Sequence, residues 1–275
     1  MRLDQDIEEA LITMVRAAAR AEIMPRFRNL SAGAITAKSS AIDLVTVADV
    51  AAEAHMTRAV AEILPGAVVI GEEAVSKDAS VLARLPDAEV AVILDPIDGT
   101  WNFANGLAVF GVILSVVVRG QTVFGLLYDP VMDDWVQASL GGGAWFAAPG
   151  RTPERLQVAP ERPFAEATGF LPHYVFPQDE QPRLAQGMIR ARRVNSLFCS
   201  CHEYRMMAQG NADFVQNESL NCWDHAAGVL AVLEAGGHAQ LVDGRDYAPA
   251  ISEGRLTVST GARMRNEVIQ AFGLG

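Results

Sequence analysis

Asp95 and Asp98 stand at the end of the apolar run Val90–Leu94, and Gly99-Thr100 follows at once. An apolar strand that stops on two carboxylates delivers both to one spot at a sheet edge. Carboxylates are hard oxygen ligands suited to Mg²⁺, and backbone N–H groups freed at a Gly-Thr turn suit phosphate oxygens. The segment therefore carries both halves of a metal–phosphate site. Two unit charges ~4 Å apart repel by about 4 kcal/mol at an effective dielectric of 20, and carboxylates at the end of an apolar strand are costly to desolvate without a partner. No Lys or Arg lies between Val90 and Val118, which leaves divalent cations to resolve the conflict.

Further acids fall where elements begin or end. Glu72 and Glu73 follow the short run Ala67–Ile70, Asp224 opens a helix in Trp223-Asp224-His225-Ala226, and Thr46 and Asp49 have the Thr-x-x-Asp spacing of a capping box. Strand ends and helix starts are where α/β proteins build sites. Each acid also has a plainer role: Asp224 as a cap that complements the helix dipole, Glu72-Glu73 as a solvated turn, Asp49 as a cap alone. His225 points elsewhere on its helix and reads as structural or substrate-adjacent.

The elements that position these residues follow from periodicity. Ile7, Leu11, Met14, Val15 and Ala18 predict an amphipathic helix within the first thirty residues, ended at Pro25. A loop is expected from Ser31 to about Ser40, then a helix from about Val47 to Leu64. Val109–Phe146 reads as an antiparallel meander, turning at Arg119-Gly120 and Asp129-Pro130. Pro149–Pro163 is the expected boundary between lobes. Beyond it come a helix over Arg183–Ile189, a strand over Ala191–Val194, a helix over Ser200–Gln209, a strand over Ala212–Gln216, a helix over Asp224–Ala235 and a last helix over Ala262–Phe272. The expected organisation is an α+β lobe over 1–155 that carries most of the acids, and an α/β lobe over 156–275 that contributes Asp224 and the substrate pocket.

Bulk properties narrow the partners. Half of the 275 residues are apolar, ample for a core, and the net charge of −11 repels nucleic acid and anionic lipid. No run of eighteen uncharged apolar residues occurs, so no membrane span is expected. The acidic start shows no secretory signal, and three sparse cysteines, Cys199, Cys201 and Cys222, read as reduced cytoplasm and not as a disulfide framework. With His202 they match no usual zinc spacing, and buried thiols are the favoured reading.

Gly71-Glu72-Glu73, Asp95-Pro96-Ile97-Asp98-Gly99-Thr100 with Asn102-Phe103, and Trp223-Asp224-x-Ala226-x-Gly228 resemble the signatures of the inositol monophosphatase family, Mg²⁺-dependent and lithium-sensitive phosphatases. Lys38-Ser39-Ser40 and Asp43–Asp49 look like that family's mobile loop and the segment behind it. The resemblance runs from about residue 5 to residue 270. It implies the layered αβαβα sandwich shared with fructose-1,6-bisphosphatase, a homodimer, and two or three Mg²⁺ per site. It implies Glu72, Asp95, Asp98, Asp224 and the Ile97 carbonyl as metal ligands, with Glu72 also orienting the attacking water. Thr100 would hydrogen-bond that water, Asp49 would support Thr100, and the N–H groups of Gly99 and Thr100 would hold phosphate.

The implied substrate is a small phosphorylated alcohol, and the alcohol end departs from the inositol-specific pattern. Counted back from Asp224, Asn217 replaces a glutamate that hydrogen-bonds a ring hydroxyl, Phe198 replaces a glycine, and Ser200 replaces an alanine. Trp101 replaces a small polar residue after the Gly-Thr pair. A charged hydrogen bond is worth about 1.5–3 kcal/mol, so its loss puts myo-inositol phosphate in doubt. Reactions of family relatives supply the alternatives: another polyol phosphate, histidinol phosphate, or a 3'(2'),5'-bisphosphate nucleotide. A different class, a catalytically silent regulatory protein, is disfavoured because Glu72, Asp95, Asp98, Thr100 and Asp224 are all retained. Aromatics such as Trp101, Phe198 and Trp223 are more often core than ligand contacts.

Overall fold

The computed structural model describes residues 2–31, 33–40 and 43–275, and side chains outside 37–43. Among the described residues the strands form three sheets. β1 (Ile35–Ser40) pairs antiparallel with β2 (Asp43–Thr46). A seven-stranded sheet runs β3 (Val68–Gly71), β4 (Val90–Asp98), β5 (Gly111–Val118), β6 (Gln121–Asp129), β7 (Asp134–Ser139), β8 (Gly143–Ala147) and β9 (Glu154–Arg155). β3 lies parallel to β4, and every later pair is antiparallel. A five-stranded sheet has the order β11 (Arg193–Asn195), β10 (Thr168–Phe170), β12 (Phe214–Asn217), β14 (Leu256–Ser259), β13 (His238–Leu241).

Helices layer these sheets. α1 (Gln5–Ala18) and α2 (Val47–Ile63) bury Leu11, Val15, Ala52 and Met56 against Val92, Leu94, Leu114 and Leu126 of the larger sheet. Its opposite face presents Ile113, Leu127, Val136 and Ala138 to α6 (Ser200–Ala208) and α7 (Cys222–Glu234), which also cover Val215, Leu241 and Val258 of the smaller sheet. The outer face of that sheet packs Phe214 with Phe272 and Leu184, on α8 (Ala262–Phe272) and α5 (Gln181–Met188). From Val90 to Leu94 β4 is apolar without a break because both of its faces are covered. The order is helix, sheet, helix, sheet, helix, the expected αβαβα sandwich.

α7 lies directly on β6. A side chain at Gly125 would stand 2.9 Å from the backbone of Ala227, so only glycine allows that approach.

Several local expectations shift. The stretch expected as a loop contains β1, because Ile35–Ser40 gains ladder partners in β2 that the sequence alone does not reveal. The side chains of Lys38-Ser39-Ser40 and Asp43 lie outside the described residues. The first helix ends at Ala18, and tighter and wider turns carry the chain on to Arg26. Glu72 and Glu73 open a short helix, α3 (Glu72–Lys77), and not a solvated turn. The strands near 191 and 212 sit about two residues later than expected, at Arg193–Asn195 and Phe214–Asn217.

Candidate active site

The spacing of Asp95 and Asp98 is a puzzle in a regular strand, where residues three apart face opposite sides. β4 solves it with a bulge. Asp95 pairs with Ile113 and Asp98 pairs with Gly111, so residues 96 and 97 stand opposite the single residue Val112. Pro96 has no N–H to lose from the ladder, and the extra residue turns both carboxylates to one side. Both aspartates thus belong to β4, and neither lies in a turn beyond it. The bulge also frees the Ile97 carbonyl, which accepts from Thr100 Oγ1 at 2.9 Å.

Gly99 then takes φ +86°. A β-carbon there would stand 3.0 Å from the Val109 carbonyl and 3.1 Å from that of Phe198. The sharp turn launches α4 (Thr100–Ala104), and Asn102 Nδ2 pins that helix by donating to the Val109 and Leu197 carbonyls at 2.7 and 2.8 Å.

Asp224 arrives from the other half. It sits inside the first turn of α7, whose cap is Asn221, and so does not open the helix. Asn221 Nδ2 donates to its Oδ2 at 3.1 Å. One carboxylate oxygen each of Asp95, Asp98 and Asp224 come within 4.8 Å of one another. Asp95 is held well above the ordinary carboxylate range, by burial first and then by the charges of Glu72, Asp98 and Asp224. Asp95 Oδ1 is buried and has no hydrogen-bond partner among the described residues. Burial also raises Asp98, opposed by N–H groups of Cys201, Ser200 and Gly99 and by the Cys199 thiol. Cys201 N donates to Asp98 Oδ2 at 2.5 Å and Cys199 Sγ lies 3.1 Å from it. Asp98 thereby caps α6, whose own cap residue, Cys199, supplies no side-chain bond.

An orphaned buried oxygen among mutually repelling carboxylates is the donor set of a hard divalent cation. The residues present fit one.

Glu72, Asp95, Ile97, Asp98, Gly99, Thr100, Phe198, Ser200, Asn217 and Asp224 all line one cleft of about 500 Å³. Asp49 stands behind it and does two things at once. It completes the capping box of α2 with Thr46, and its Oδ1 lies 3.2 Å from Thr100 Oγ1. Burial is the main cause that pushes it up to about 7. The Gly99 N–H is one of the groups that lower Asp98, and Gly99 itself lines the cleft. Asn217 is buried, 3.5 Å through Nδ2 from the Tyr204 hydroxyl. His225 lines the cleft, with its ring nitrogens on Tyr204 Oη and the Ser219 carbonyl. Trp223 packs on the Ile70 cluster. The three cysteines are free and buried.

Sequence reasoning missed four contributors. Glu53 of α2 accepts from the N–H groups of Glu73 and Ala74 at 2.8 and 2.9 Å, which fixes the start of α3. Its signal was present: two acids four apart on one helix face repel unless something uses them. Glu203 lines the cleft, and its Oε1 accepts from Leu197 N at 2.8 Å. Tyr174 and Cys199 line it too. Nothing local marks these three, because folding alone brings them there.

A model of the inositol monophosphatase family matches residues 3–273. The "Fructose-1,6-bisphosphatase/inositol-1-monophosphatase" of Thermotoga maritima is 29% identical over 84% of this chain and 86% of its own length. The "Inositol-1-monophosphatase" of Mycobacterium bovis is 32% identical over 87% of this chain and 81% of its own. In three dimensions the chain matches the extragenic suppressor protein suhB of Bartonella henselae with a TM-score of 0.80 at 23% identity, over 98% of this chain and all of that one. With the acids gathered in one cleft of this sandwich, the chain belongs to the inositol monophosphatase family.

Proposed function

We propose that the chain is a Mg²⁺-dependent phosphomonoesterase that hydrolyses a small phosphorylated alcohol by direct attack of water. The observation that carries this reading is the unpartnered, buried oxygen of Asp95 within the acid trio. Asp95, Asp98, Asp224, Glu72 and the Ile97 carbonyl would hold the cations, two or three in number. Bound Mg²⁺ supplies charge neutralisation at the phosphate, a lowered pKa for water and stabilisation of the leaving oxygen.

The chain's own residues do the positioning. Thr100 Oγ1 has one proton and two acceptors in reach, Ile97 O at 2.9 Å and Asp49 Oδ1 at 3.2 Å. With that proton committed, the hydroxyl lone pairs serve as acceptors toward the cleft. A water donating to Thr100 and to Glu72 keeps a lone pair for phosphorus. The Thr100 N–H, at the start of α4, would take a phosphate oxygen.

The test is hydrolysis of a panel of phosphate esters with Mg²⁺ and with chelator, lithium serving as inhibitor. Chelator should abolish turnover. Asp95→Asn should lower kcat at least about a thousandfold with an unchanged circular-dichroism spectrum, the scale of losing metal catalysis. Normal turnover by that variant, or by chelated wild type, would falsify the ligand assignment.

A further inference from the structure

We propose that the alcohol of the substrate carries a flat, weakly polar ring, aromatic or heteroaromatic, which packs on an aromatic wall of the cleft. This rests on the phosphatase reading above and adds the class of leaving group.

The wall is built from three separate segments. Trp101 of α4 stacks on Phe198, with centroids 5.6 Å apart and planes at 30°. Phe198 stacks on Tyr174, with centroids 4.6 Å apart and planes at 11°. All three line the cleft that holds the acid trio, and Pro172 and Val175 extend the apolar surface. Phe198 has two features that packing alone does not explain. Its backbone is in the left-handed region, at φ +54°, which is costly for any residue with a β-carbon. The residue nevertheless remains 38% exposed. A core phenylalanine gains its stabilisation from burial, and Phe198 gives up much of that gain.

The strained loop is held from two sides. Glu203 Oε1 accepts from Leu197 N and Ser196 Oγ, and Asn102 Nδ2 donates to Leu197 O. Tyr174 is held in turn by its hydroxyl, 3.5 Å from Ser196 Oγ. The wall is therefore preorganised.

Such a wall selects by chemistry. Ring faces and edges offer a polyol no strong acceptor, and a hydroxyl desolvated without a partner is penalised. On the polar side Glu203 already serves the loop, Asn217 reaches Tyr204 and Glu218 accepts from Arg255, which leaves the hydroxyls of Ser200 and Ser219 along the cleft. A ring in the substrate gains aromatic contact on top of apolar burial.

The experiment compares kcat/KM for 2-phenylethyl phosphate, 2-cyclohexylethyl phosphate and glycerol 1-phosphate, all primary alkyl esters, in Mg²⁺. Wild type should prefer the phenyl ester over glycerol phosphate by at least about tenfold, and over the cyclohexyl ester by a smaller factor. Phe198→Gly and Trp101→Leu should each cut the phenyl-to-glycerol ratio by about tenfold. Ratios taken within one preparation cancel its folded fraction, so a poorly folding variant still reports. Hydrolysis of all three esters with equal efficiency, or with glycerol phosphate preferred, overturns the ring assignment and leaves the phosphatase reading standing. An unchanged ratio in both variants overturns it too. No hydrolysis of any ester with any divalent ion removes the phosphatase reading, and this inference with it.

Discussion

Glu203 is a carboxyl group that stays protonated where carboxylates are normally charged. Burial pushes it up to about 8, and the charge of Asp98 adds to that. The unfolded chain ionises the same group near pH 4.3. Between these values the folded state holds a proton that the unfolded state has lost, so stability falls as pH rises through that window. Glu203→Gln keeps an acceptor for Leu197 N and cannot titrate. In chelator, melting temperatures of wild type and variant should converge near pH 4.5, and the variant should lead increasingly up to pH 8. Parallel curves across that range would remove the assignment. Asp98 shifts in the same direction, because burial raises it as well, and N–H groups of Cys201 and Ser200 on α6 and the Cys199 thiol oppose that rise.

Elements explain why acids far apart in sequence converge. Glu53 on α2 fixes the first turn of α3 and hence the place where Glu72 enters the cleft. Glu53→Ala should cost about 0.5–2 kcal/mol, the range for losing a helix cap, and should lower kcat by displacing Glu72. Glu53→Gln, which keeps one acceptor, should lose less on both counts in urea unfolding and ester hydrolysis. Equal losses from the two variants would mean that Glu53 acts through charge alone.

The meander was readable because Val, Ile and Leu runs are punctuated by Arg119-Gly120 and Asp129-Pro130. Ile35–Ser40 was not, since the alternation in Ile-Thr-Ala-Lys-Ser-Ser stops after Ala37 and the segment depends on β2 for its partners. The acids Asp95, Asp98 and Asp224 were visible as motifs. The bulge that lets an odd spacing serve one face was not, because register belongs to the pair of strands. Tyr174 and Glu203 were invisible for a related reason: their place in the cleft depends on how the elements pack.

At the scale of the molecule, the middle helical layer is the joint. α6 and α7 come from the second half of the chain, yet they bury Ile113, Leu127 and Val136 of the first. The acid trio repeats this arrangement, with two members on β4 and one on α7. Neither half holds the full set. The segment that connects them runs in the open at Pro149-Gly150-Arg151, and contributes none of the acids. A cut between Gly150 and Arg151 should therefore leave a two-piece protein that copurifies and still turns over ester at near the intact rate, while each piece alone is inert. Once assembled, the enzyme owes its unity to packing, and the peptide link at that point serves chiefly to bring the pieces together the first time.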